Sequence, residues 1–342
     1  MNHPKSPLPR ITTLLSCLLL ACLPAGRALA EPAATKTPGT LRVYFIGNSV
    51  TDTLRYSALA ELAKSRNLTM DWGRTMVPGA PLEYFYTHPQ GGFSEPPYGT
   101  WDKALKEFPW DVVSLQPFDR NLYNLSNPND PPGEDLNDVP MCGKFIGMAA
   151  NMNPDVQVYI YARWPRMSSQ HKGLDFDKND YDPSKPGSGA DLSKVDDFQE
   201  RWNATYKPGW DLNNESASYF DQLLKEVRDK NSFLKKRPLL VPVGHVMAAM
   251  DLLMRQGKVP GYTSIYQLYK DGIHLNETGS YLVGCTYFAT LLRQSPEGLP
   301  TGPYGQIDPA VAKIIQQTAW DVVSHHPDSG VQGSGSNASG SK

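Results

Sequence analysis

Residues 41–52 read Leu41-Arg42-Val43-Tyr44-Phe45-Ile46-Gly47-Asn48-Ser49-Val50-Thr51-Asp52. The first six are β-formers with almost no polar interruption, which suits a strand buried on both faces. Gly47 ends the run. Thr51 or Asp52 then offers a cap for the helical pattern that follows at 53–66. A serine in that turn points into the space above the sheet. Alone, Gly47-Asn48-Ser49 is equally well a plain turn with an N-cap.

Outward from this stretch the same alternation repeats. Short apolar runs at 68–72, 110–115, 156–161 and 239–243 predict four more strands. Helical spacing appears at 100–108, 139–152, 216–231, 245–256, 277–293 and 308–324. Continuous apolar strands alternating with helices mean a parallel sheet covered on both faces, a three-layer α/β/α sandwich of five strands. In such a sheet ligands bind beyond the carboxyl ends of the strands. Residues 163–215 break the rhythm and read as an insertion.

The chain has 342 residues, 40% apolar and 20% charged, enough for a packed core. Its formal net charge is −2; residues 1–30 carry +3, leaving −5 on the rest. A mildly acidic body without a basic stripe argues against nucleic-acid binding. Lys5 and Arg10, an apolar run from Ile11 to Leu23, and Ala28-Leu29-Ala30 form a secretion signal cleaved near Ala30. Leu19-Leu20-Ala21-Cys22 offers lipidation at Cys22 as the alternative. No segment suits a stable membrane span. The expected organisation is a signal at 1–30, a linker at 31–40, a folded body at 41–325 and a Gly/Ser-rich disordered tail at 326–342. Cys142 and Cys285 would remain after cleavage, either as one bridge or as two buried thiols.

The sequence lacks G-x-x-x-x-G-K, H-E-x-x-H, G-x-S-x-G and an EF-hand loop. No cofactor and no metal site is expected. A second chemical signal is Asp271-Gly272-Ile273-His274, just before the helix at 277. A serine is a weak nucleophile until a base takes its proton, and an acid that orients the base completes the set. Alone, Asp271 and His274 read as a turn cap and a surface histidine. Together with Ser49, at the same end of the sheet, they supply nucleophile, base and orienting carboxylate.

In these blocks the chain resembles the SGNH (GDSL-type) hydrolase superfamily over about residues 41–293. Gly47 to Thr51 matches the first block and Asp271 to His274 the last. The resemblance implies a flavodoxin-like sheet, with Ser49, His274 and Asp271 as catalytic residues. It also implies an oxyanion hole from the amides of Ser49 and Gly79, the latter within Val77-Pro78-Gly79-Ala80. The third block departs from the family. Leu115-Gln116-Pro117 stands where an asparagine donor is usual, and Gln116 is the expected substitute, with Asn121 the other choice. A missing donor costs roughly 3–4 kcal/mol of transition-state stabilisation.

Asn48, Arg163 and Trp164 are candidate substrate-binding residues, the other reading being a packed Trp164 with a solvated Arg163, and His245 is either a structural histidine or a spare base. Met247, Met250 and Met254 have helical spacing and read as core. His325-His326 is a weak metal signal. Tyr84, Phe85, Tyr86, Phe93, Tyr98, Trp164, Trp202 and Trp210 suit either carbohydrate stacking on rim loops or packing. The expectation is an exported serine esterase releasing acyl, chiefly acetyl, groups from a small-molecule or polysaccharide ester. Two rivals share these residues: a glycan-binding protein on an inherited hydrolase fold, and an O-acyltransferase.

Overall fold

A computed structural model describes residues 39–123, 135–167, 195–208 and 212–331. Strand β1 spans Thr40–Gly47, and Val43, Tyr44, Phe45 and Ile46 are fully buried. The one-turn helix α1, Ser49–Asp52, follows, then α2, Tyr56–Lys64. In α2 the buried positions Tyr56, Leu59, Leu62 and Ala63 recur at helical spacing. Strand β2, Thr69–Met76, runs longer than the apolar pattern of 68–72 suggests. It continues through Gly73 because the Tyr44 ring lies against that position. A side chain there would come within 2.9 Å of the ring.

The chain continues with α3 (Leu82–Thr87), β3 (Phe93–Ser94), α4 (Trp101–Glu107), β4 (Val112–Leu115), α5 (Asp138–Met152) and β5 (Gln157–Tyr161). Then come α6 (Phe198–Trp202), a 3-10 turn at Leu212–Glu215, α7 (Ala217–Lys230), β6 (Leu239–Val241) and α8 (Val243–Arg255). A second 3-10 turn at Ile265–Leu268, α9 (Glu277–Leu292) and α10 (Pro309–His325) complete the order.

The sheet order is β3-β2-β1-β4-β5-β6. Strands β2, β1, β4, β5 and β6 are parallel, the flavodoxin-like order. The sheet has six strands rather than five. The extra one, β3, is a two-residue antiparallel edge on Thr75 and Met76, inside a Pro- and Gly-rich loop with no periodicity to read. Helices α2, α8, α9 and α10 pack together, and α3, α4, α5 and α7 form a second group. Helix α9 is buried from Thr278 to Leu291. Such a helix is apolar all round, and its Thr286 and Thr290 hydroxyls are satisfied by Leu282 O and Thr286 O.

Met247, Met250 and Met254 are buried in α8, as core residues. Cys142 and Cys285 are both buried free thiols, so no bridge joins them. The folded body runs beyond the expected boundary at 325. Leu240 N donates to Asp328 O at 2.8 Å, and Ser329 and Val331 are buried. The segments at 1–30, 31–38 and 332–342, with Cys22 and Ala30, lie outside the described residues, as do 168–194 and 209–211, with Trp210, within the insertion. Among the described residues no helix is long and apolar enough to cross a membrane.

Candidate active site

β1 and β4 are neighbours in the sheet, and the chain runs from β1 to β2 on one side and from β4 to β5 on the other, the switch point at which a crevice forms beyond the strand ends. Ser49 stands just beyond the end of β1, on the rim of that crevice. Asn48 is the N-cap of α1, and its Oδ1 accepts from Val50 N at 3.0 Å. Its Nδ2 donates to Ala80 O at 3.2 Å, tying the serine turn to the loop after β2. Gly47 is required sterically. A side chain there would strike Thr51 Oγ1 and come within 2.8 Å of Gln116 Cβ.

In the loop after β2, Ala80 N donates to Val77 O at 3.2 Å and Gly79 has φ +68°. Pro78 and Gly79 thus form the centre of a type II turn, whose third position needs positive φ. Among the described residues, neither the Ser49 nor the Gly79 amide is spent on another hydrogen bond.

The loop between the second 3-10 turn and α9 is closed by Tyr269 pairing with Leu275 and by Asn276 N donating to Leu268 O. Inside it, Asp271 Oδ1 accepts from Ile273 N at 2.9 Å and His274 N at 2.7 Å. This Asx turn leaves Asp271 Oδ2 to accept from His274 Nδ1 at 2.8 Å. Burial raises the Asp271 pKa, but the His274 ring and the two amides outweigh it and hold it at about 2. An ionised carboxylate only accepts, so the imidazole proton sits on Nδ1 and Nε2 keeps its lone pair. Ser49 Oγ donates to that Nε2 at 2.8 Å. Three residues up to 225 positions apart are therefore joined in one hydrogen-bonded chain, with the parts for proton removal from a serine.

Gln116 does not stand where the sequence places it. Its side chain is fully buried beneath the serine turn. Its Oε1 accepts from Asn48 N at 2.9 Å and Thr51 Oγ1 at 3.0 Å, and its Nε2 donates to Pro117 O at 3.0 Å. It braces the turn instead of facing the crevice. Asn121, the other choice, is buried with its Oδ1 on Tyr206 OH.

The substrate-binding expectation fails at all three residues. Asn48, Arg163 and Trp164 are buried; the polar atoms of Asn48 and Trp164 bond within the fold, and Arg163 does so through Nη1, on Glu215 and Trp164 O. Trp164 Nε1 donates to Ile273 O at 2.8 Å, Met167 N to Gly272 O at 2.7 Å, and Tyr269 OH to Pro165 O at 2.7 Å. The segment after β5 thereby clasps the Asp271–His274 loop. That segment is itself anchored on buried Glu215, which pairs with Arg163 (2.9 Å), Arg166 (2.5 Å) and Arg201 (2.7 Å). Burial raises the Glu215 pKa, and the three guanidiniums more than reverse this, bringing it to about 2. No local pattern marks Glu215, which lies in the aperiodic insertion.

His245 is partly buried against Trp202 and His326, and desolvation first, then His326, pushes its pKa down to about 3. It belongs to the packing of α8, not to the site. Of the described aromatic candidates, Phe85, Tyr98, Trp164 and Trp202 are buried and Tyr86 is partly buried, while Tyr84 and Phe93 are exposed. A cleft of about 260 Å³ opens beside Ser49 and His274, walled by Asp52, Thr53, Arg55, Lys270, Leu275 and Ser280. Sequence reasoning missed these walls because they come from two distant stretches, 52–55 and 270–280, that only the fold sets side by side. No group of acidic, histidine or cysteine residues suited to a metal occurs among the described residues.

No protein-family model matches the chain, and no curated protein sequence does. Solved structures do. A DUF4886 family protein from Bacteroides uniformis superposes with a TM-score of 0.50 at 17% identity, over 84% of this chain and 95% of that one. A possible lipase from Chitinophaga pinensis gives 0.38 at 12% identity, over 74% and 98%. The periplasmic domain of a Salmonella ser. Paratyphi A lipopolysaccharide acetyltransferase gives 0.36 at 11%, over 75% and 85%. The first of these shows a shared α/β fold.

Proposed function

We propose that the protein is an exported serine esterase of the SGNH type. The observation that carries this reading is the unbroken chain Ser49 Oγ–His274 Nε2–His274 Nδ1–Asp271 Oδ2, with both links at 2.8 Å. In the proposed reaction Ser49 Oγ attacks the ester carbonyl as its proton passes to His274 Nε2. The imidazolium then gives that proton to the departing alcohol oxygen. Asp271 stays ionised and holds the ring in the productive tautomer. Water, deprotonated by His274, releases the acid from the acyl-serine. The amides of Ser49 and Gly79 are the oxyanion donors in this scheme.

A cleft of about 260 Å³ with polar walls suits a short acyl group such as acetyl. A carbohydrate alcohol is the proposed leaving group, in line with the sequence resemblance. Exposed Tyr84 and Phe93 are the stacking surfaces left from the original aromatic set.

The test is hydrolysis of 4-nitrophenyl esters of increasing chain length, then acetate release from acetylated xylan and pectin. The reading predicts turnover of acetate over octanoate, abolished in Ser49→Ala. Equal turnover by Ser49→Ala would overturn it. A product formed only when a sugar acceptor is present would make the protein an acyltransferase.

A further inference from the structure

Resting on the esterase reading of Ser49, we propose that the cleft beside it selects esters bearing an anionic group, a carboxylate or sulfate, held by Arg55 and Lys270. Both cations wall the same cleft as Ser49 and His274. Neither has an acidic partner within ion-pair distance among the described residues. Arg55 is not a loose surface arginine. Its backbone sits at φ +53°, and Nη1 donates to Tyr304 O at 2.6 Å. Tyr304 is in turn fixed by its hydroxyl on Leu54 O at 2.9 Å. The guanidinium is thus half-buried and pre-oriented, with donors left over from the single bond it makes.

Lys270 leads into the Asp271–His274 loop, and its own amide donates to His274 O at 2.9 Å. The acids nearby are already engaged. Asp52, the acid in the cleft wall, pairs with Arg74 at 2.7 Å, and Arg74 also holds Glu95 at 2.9 Å. Asp271 is bonded to His274. Glu277, packed against Gly305, forms no ion pair with Arg55 or Lys270 among the described residues. An anion entering the cleft would meet two cations whose charge is not yet answered, beside the reacting serine. Such charge-assisted bonds are the strong class of polar contact and favour substrates that carry the matching charge.

The experiment compares matched neutral and anionic esters. One pair varies the acyl side, 4-nitrophenyl butyrate against mono-4-nitrophenyl succinate. The other varies the alcohol side, acetylated methyl glucoside against acetylated methyl glucuronide. In at least one pair the anionic member should have about tenfold or higher kcat/KM, and that pair locates the anion. The preference should fall about tenfold in Arg55→Gln and Lys270→Gln, reverse in Lys270→Glu, and shrink with added salt. Equal kcat/KM within both pairs, or variants that move both members alike, would overturn the subsite.

Labelling of Ser49 by a fluorophosphonate in the same preparations separates the two claims. Labelling without charge preference removes the subsite alone. Without labelling the esterase reading fails, and the subsite is then judged by binding of methyl glucuronide, succinate and methyl glucoside to wild type and to the Arg55→Gln/Lys270→Gln variant. Binding of an acid but not the glucoside, lost in the variant, keeps the anion site; no such binding overturns it.

Discussion

Asn48 Nδ2 donates to Ala80 O across 3.2 Å, and this one bond joins the two turns that carry Ser49 and Gly79. The same side chain caps α1 through Oδ1. Asn48 therefore sets the distance between the two proposed oxyanion amides without touching substrate.

Asn48→Asp keeps the cap acceptor and loses the donor. The expected result is a fall in kcat of roughly 10- to 100-fold, because the amides no longer converge on one oxygen. KM should move less. Steady-state kinetics on 4-nitrophenyl acetate check this, and a wild-type kcat would contradict it.

Gln116 Oε1 is the partner of both Asn48 N and Thr51 Oγ1. Gln116→Leu leaves those two buried donors unpaired, at a cost of about 1–3 kcal/mol for each such group. Thermal or denaturant unfolding should show a clear loss of stability along with lower activity. Loss of activity at unchanged stability would instead favour the oxyanion role that the geometry argues against.

Asp271→Asn removes the acceptor that fixes the His274 tautomer. A fall in kcat on the order of 10³–10⁴-fold is expected at neutral pH. Asp271 itself is held at about 2. It stays ionised above about pH 4, so it adds no break to the wild-type rate profile there. A pH–rate series on wild type and variant tests both statements.

Glu215 holds three guanidiniums beneath the segment that clasps the His274 loop. Its pKa is depressed in the fold, to about 2 from the usual 4.5. The folded state thus binds fewer protons than the unfolded chain between these values. The stability this contributes is fully present above about pH 4.5 and is lost as pH falls towards 2. Glu215→Gln should cost about 3–5 kcal/mol at neutral pH. The gap to wild type in denaturant midpoint should narrow steadily as the pH is lowered from 5 to about 2.5. A pH-independent gap would show that the carboxylate charge is not the stabilising feature.

The five parallel strands and most helices were legible because each buries a continuous apolar run or one face. Val43 to Ile46 and the Tyr219-Phe220-Leu223-Leu224-Val227 series of α7 carry that signal plainly. The meeting of Ser49 with His274 was legible only through topology, since both motifs end at the same edge of a parallel sheet. Edge strand β3 was not legible, because two residues hold no period. For Gln116, Arg163 and Trp164 the sequence leaves two orientations open, for one physical reason. A polar or aromatic side chain after a strand can turn into the crevice or fold under it, and sequence does not record which. Here Gln116 turned under to satisfy the Asn48 amide, and Trp164 to satisfy Ile273 O. Arg55 and Glu215 carry no local pattern at all; their importance comes from what the fold sets beside them.

The central claim is that Ser49 is an activated nucleophile. Intact-mass measurement after treatment with a fluorophosphonate tests it without any assumption about substrate. Wild type should gain one adduct at Ser49, and Ser49→Ala and His274→Ala should gain none over the same interval. A folded wild-type protein that stays unlabelled, or labelling that persists in Ser49→Ala, would contradict the account.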